Sequence, residues 1–172
     1  MTTPDAFRLL VPVADSVTVR NTVAYAVDVA TEAATDRPVE LHFVDVASTR
    51  AVDPDAPEEL AAASDLLDRV EAWVDEDTGG ERSPNLSVST DVLGADQYLF
   101  SPGDYADVLL SYAEERDLDR IVLDPEYSPG GAGPMLRPLT IELARADVAI
   151  EEAPVERRTE GTVLTRTASL PK

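Results

Sequence analysis

Three carboxylates stand at the ends of apolar stretches. Asp15 follows residues 7–13 (FRLLVPV), Asp45 lies at the end of residues 39–46 (VELHFVDV), and Asp124 closes residues 120–124 (RIVLD). If those ends converge, the three could share one crevice and offer oxygen ligands of the kind Mg²⁺ takes. A phospho-acceptor site of this sort would also need a lysine at the end of the last strand, and none is there. The other reading is local: aspartate favours turns and caps at strand-to-helix junctions, and the chain has nineteen of them. We expect no metal site.

A second constellation is the loop 124–134 (DPEYSPGGAGP). Gly130, Gly131 and Gly133 would let backbone N–H groups converge on an anion, and the helix that follows adds a partial positive charge at its N-terminus. Arg137 would clamp a phosphate. Ala14, Asp15 and Ser16, in the loop after the first strand, would form the facing wall, with Asp45 and Asp124 completing a candidate nucleotide cleft. Asp124 and Glu126 put negative charge in the same loop, and no Gly-Lys-Ser/Thr or Gly-x-Gly-x-x-Gly follows a strand. The alternative is a surface loop.

Catalytic candidates are few. The sole histidine, His42, falls in mid-strand, and no Gly-x-Ser-x-Gly elbow is present. With no cysteine, thiolate catalysis, disulfides and zinc–sulfur sites are excluded. We expect His42 and Trp73 to be structural and the chain not to be an enzyme.

The elements that would position these residues alternate. Strands are predicted at residues 7–13, 39–46, 86–93, 120–124 and 148–150. Helices are predicted at 20–34, from Pro57 to Gly79-Gly80, from Ser101 onward, and at 136–146. Val19, Val23, Ala26, Val27, Ala30 and Ala34 recur at helical spacing, as do Leu66, Leu67, Val70 and Val74. Ser101-Pro-Gly-Asp104 reads as a capping box. Residues 86–93 (LSVSTDVL) alternate polar and apolar, the pattern of an edge strand with one wet face. Five strands interleaved with four helices imply a doubly wound parallel sheet in the order 3-2-1-4-5, with helices on both faces. Ligands on such sheets bind beyond the carboxyl ends of the strands, at the loops after the first and fourth.

Composition narrows the partners. The 172 residues carry a formal net charge of −20, which opposes binding to nucleic acid and to anionic lipid. Lys172 is the only lysine against thirteen arginines. This balance suits a salt-rich cytoplasm, where a Debye length of about 3 Å at molar salt leaves spaced surface charges nearly blind to one another. No signal peptide opens the chain, and no run reaches the roughly 18 apolar residues of a membrane span. Residues 1–156 form one domain with ten basic and 33 acidic residues, net −23. Residues 157–172 carry four basic and one acidic residue, net +3, and read as a polar tail or linker.

The stretch Leu9-Leu-Val-Pro-Val-Ala-Asp-Ser16, the following Arg20-Asn-Thr-Val-Ala-Tyr-Ala-Val27, and the segment from Tyr105 to Asp124 resemble the universal stress protein family over about residues 7–152. The resemblance implies that family's adenine-nucleotide α-hydrolase-like fold and a homodimer through the last strand. Members that bind ATP carry an aspartate directly after the first strand, where this chain has Ala14. They also carry Gly-x-x-Gly, nine residues, then Gly-Ser/Thr after the fourth strand. Here Asp124 and Tyr127 align with the first two glycines; Gly130 and Gly133 have the right spacing, but position 143 is leucine. The resemblance thus implies the fold without secure ATP binding, and we expect no bound cofactor.

Four runs carry a narrower resemblance: residues 20–27, 96–107 (DQYLFSPGDYAD), 122–127 (VLDPEY) and 151–157 (EEAPVER). They resemble the soluble N-terminal domain of the E-type component of haloarchaeal multisubunit Na⁺/H⁺ antiporters. This implies a cytoplasmic accessory domain, tethered at the membrane face, with antiporter subunits as partners; a basic tail before a membrane segment would favour the cytoplasmic side. The alternative is a stand-alone universal stress protein that binds ATP or another nucleotide.

Overall fold

The computed structural model describes residues 5–48, 56–95, 101–129 and 136–154. In chain order the elements are β1 (Phe7–Pro12), α1 (Val19–Ala33), β2 (Val39–Ser48), α2 (Ala56–Asp77), β3 (Leu86–Ala95), α3 (Pro102–Glu115), β4 (Arg120–Leu123), α4 (Leu136–Leu143) and β5 (Ala149–Glu152). The strands form one sheet in the order β3-β2-β1-β4-β5, and every neighbouring pair is parallel. This is the doubly wound sheet that the alternation of elements predicts. The tail after residue 156 lies outside the described residues.

Period-two alternation divides the core between the faces. Leu9 and Val11 of β1, Leu41 and Phe43 of β2, and Leu86 of β3 pack against Val23 and Val27 of α1 and Leu66, Val70 and Val74 of α2. Leu10, Val44, Ile121 and Leu123 point the other way, onto Tyr105, Leu109 and Tyr112 of α3 and Leu139 and Leu143 of α4. β1 and β4 are therefore apolar on both sides, as covered parallel strands must be. β3, an edge strand, buries Leu86 while Ser87, Ser89 and Asp91 stay exposed.

Local chemistry sets the helix ends. The α2 helix stops at Gly79 and Gly80, whose φ values of +65° and +77° suit residues without a Cβ. Its last turn contains no basic residue. Instead Arg20 of α1 places both terminal nitrogens 2.9 Å from the two Asp77 oxygens. The same guanidinium lies over the partly buried Trp73 ring, 5.5 Å from its centroid.

The capping box at α3 is present. Ser101 Oγ accepts from the Asp104 amide at 3.3 Å, and Asp104 Oδ2 accepts from the Ser101 amide at 3.0 Å. Ser101→Ala is expected to cost about 1 kcal/mol of stability. Urea denaturation would read it as a lower midpoint with an unchanged slope.

Candidate functional site

The crevice at the strand-order reversal lies between the loop after β1 and the loop after β4. The β1 side begins with Val13, whose amide still donates to Val44 O at 2.8 Å. Ala14 is buried, Asp15 turns out to solvent, Ser16 is half-buried and Thr18 is buried. Thr18 occupies the N-cap position of α1 but makes no capping bond, because its hydroxyl is directed across the crevice.

The acceptor there is Asp124, which is completely buried. Ser16 Oγ donates to Asp124 Oδ2 at 2.5 Å, and Thr22 Oγ1 donates to Oδ1 at 3.0 Å. Thr18 Oγ1 donates to the same Oδ1 in a short contact. The Glu126 amide, on the far side of the turn, approaches Oδ1 at 3.4 Å. Among the described residues this carboxylate has no cationic partner and is held by three hydroxyls at the first turn of α1, where the helix dipole also favours negative charge. Thr18 and Thr22 are one turn apart on the helix and face the same way.

Asp45 sits in a different environment. It is held at about 7, against an ordinary 3.8, by burial first and then by the charges of Asp15 and Glu59. Asp15 is exposed and 3.8 Å from Arg69 Nη2. The three aspartates that the sequence groups together are therefore divided. Asp124 is tied to hydroxyls, Asp15 faces an arginine on α2, and Asp45 is half-buried near two like charges. Among the described residues no group of three or more His, Cys, Asp or Glu side chains could hold a metal ion. Arg137 is exposed on α4, and Gly130, Gly131 and Gly133 lie outside the described residues.

Tyr127, where the family resemblance places a glycine, is wholly buried, with its amide 3.1 Å from Asp124 O. Its hydroxyl has no hydrogen-bond partner among the described residues. Burial, then the charges of Asp45 and Tyr105, push its ionisation far up, so it stays a neutral phenol. Sequence reasoning missed Thr18 and Thr22 as members of the site. The signal was available: hydroxyls at positions 16, 18 and 22 line the start of a helix behind a strand end.

No family model and no curated protein matches the chain. Solved structures do. The universal stress protein from Archaeoglobus fulgidus superposes with a TM-score of 0.57 at 16% identity, covering 86% of this chain and 93% of that one. The fold is that of the universal stress proteins. The same comparison returns a universal stress family protein from Burkholderia pseudomallei, with TM-score 0.55, 16% identity and coverage of 86% and 96%. A third match is the Archaeoglobus fulgidus universal stress protein in complex with dAMP, with TM-score 0.55, 16% identity and coverage of 86% and 98%. The turn after β4 in this crevice holds a buried acid, Asp124, and a buried phenol, Tyr127. Among the described residues no helix is long and apolar enough to cross a membrane.

Proposed function

We propose that this chain is a non-enzymatic accessory module on the universal-stress fold, one that works through protein contacts and does not hold a nucleoside triphosphate. The observation that carries the reading is the buried Asp124 carboxylate clamped by Ser16, Thr18 and Thr22. Those hydroxyls and the first turn of α1 are donors a phosphate could use on the β1 side of the switch point, the side that the sequence sets opposite the loop 130–133 and Arg137. A phosphate entering there would meet a like charge. At about 4 Å and an effective dielectric near 20, the repulsion is about 4 kcal/mol, or nearly three orders of magnitude in affinity.

Titration of ATP with Mg²⁺ into the protein in molar KCl should give no saturable heat at millimolar nucleotide. Saturation in the micromolar range would overturn the reading. The second reading, a stand-alone nucleotide-binding stress protein, is favoured by the dAMP complex of the similar Archaeoglobus protein. It would be supported by that same saturation.

The finer assignment is a cytoplasmic regulatory domain of a monovalent cation/proton antiporter, of the E-type component. Its support is the four sequence runs described above and the reversal of charge at residue 157. Native protein of this reading co-sediments with membranes and is cross-linked to the membrane components of the antiporter; recovery in the soluble fraction alone would contradict it. The edge strand β5, paired on one side with β4, is the surface through which a homodimer would form.

A further inference from the structure

The exposed half of the α3-side face, away from the crevice, contains a hydrogen-bonded chain that the accessory reading does not use. Glu40 and His42 are two apart on β2 and share that face, and His42 is in register with Ser89 of β3. Ser89 Oγ lies 3.0 Å from His42 Nδ1, and His42 Nε2 lies 3.2 Å from Glu40 Oε1. The Tyr112 hydroxyl is 3.1 Å from the same Nδ1. Burial acts to raise the Glu40 carboxyl, but hydrogen bonds from His42 and Arg8 outweigh it and leave the group below its ordinary range.

An ionised Glu40 only accepts, so Nε2 carries the proton and Nδ1 offers its lone pair. Two hydroxyls then face one acceptor. Ser89, the exposed one, can give its proton to His42. Tyr112, buried beside it, keeps an O–H free to donate to a neighbouring oxygen. A nucleophile and a base within hydrogen-bond reach, with the base oriented by a third group, is the arrangement that activates serine.

We propose that Ser89 is a modification site that accepts an acyl group from a small activated ester, with His42 as the base. Ser89 Oγ bonds to the acyl carbon as its proton passes to Nδ1. The C–O bond to the leaving group then breaks, and the leaving oxygen takes that proton. Glu40 is a positioning residue, and Tyr112 donates to the carbonyl oxygen as it becomes negative. The proposal is for a single acylation, not turnover, and it stands apart from the accessory reading.

The test is p-nitrophenyl acetate added to the full chain, followed by peptide mass mapping. Lys172 is the only lysine, so amine background is small. Ser87, exposed two residues away on the same face, is an internal comparator. Ser89 is expected to acetylate at least about 100-fold faster than Ser87, the span a general base supplies. His42→Gln should remove that advantage, and Glu40→Gln should reduce it by about tenfold through loss of orientation. Equal labelling of Ser87 and Ser89, or wild-type labelling of Ser89 in His42→Gln, overturns the proposal. The comparison of Ser87 with Ser89 in the unmutated protein decides it even if a variant fails to fold.

Discussion

Asp124→Ala is expected to destabilise the protein by about 3–5 kcal/mol. The substitution leaves the hydroxyls of Thr18 and Thr22 buried without their acceptor, and removes that of half-buried Ser16. Each orphaned buried donor costs about 1–3 kcal/mol. Ser16 can turn to water and adds little. The loop after β1 also loses its tie to β4, across more than 100 residues of sequence. Asp124→Asn keeps one acceptor oxygen and the volume, so it should cost less, about 1–2 kcal/mol. Urea denaturation in molar KCl would rank the two. An alanine variant within about 0.5 kcal/mol of the wild type, the range of ordinary surface changes, would show that the clamp contributes nothing.

Asp45 should make stability fall as pH rises across the acid-to-neutral range. In the folded protein its carboxyl titrates near 7; in the unfolded chain it titrates near the ordinary 3.8. Between those values the native state binds a proton that the unfolded state has released, so each step up in pH favours unfolding. The contribution is fully present below about pH 4 and is lost as pH passes 7. A displacement of about three pH units is worth at most about 4 kcal/mol. Asp45→Asn removes this slope. Its stability relative to wild type should rise by up to that amount between pH 4 and pH 8. The difference between the two proteins is the quantity to follow, because other carboxylates such as Glu40 titrate in the opposite sense. Equal pH profiles for both would contradict the assignment. Molar salt weakens the contributions of Asp15 and Glu59 but not the burial, so most of the effect should persist in KCl.

Much of the fold was legible because its determinants are local. Short apolar or alternating runs, separated by helical periodicity, leave few topologies once crossovers are right-handed. Strand ends were less legible. β2 and β3 each run two residues beyond the predicted span, to Ser48 and Ala95, because their ladder continues through Ala47↔Gly94 and Ser48↔Ala95. Small residues there show no hydrophobic alternation. At the site, sequence placed Asp15, Asp45 and Asp124 at strand ends but could not say which way each side chain turns. That depends on neighbours distant in the chain: Thr22 for Asp124, Glu59 for Asp45. His42 shows the same limit. Its partners Ser89 and Tyr112 are fixed by strand register and by helix docking, neither of which is written in the residues around position 42.

The hold of Arg20 on the end of α2 has a consequence for how the molecule assembles. The last carbonyls of α2 are met by the amides of Thr78, Gly79 and Gly80, but its final turn has no positive side chain of its own to offset Asp77. That positive charge comes from the preceding helix, through the bidentate grip of Arg20 on the Asp77 carboxylate. The charge of Asp77 is therefore balanced only when the two helices are side by side. Fraying at that end and separation of the helix pair become one event, so this half of the molecule is expected to open and close as a single cooperative unit.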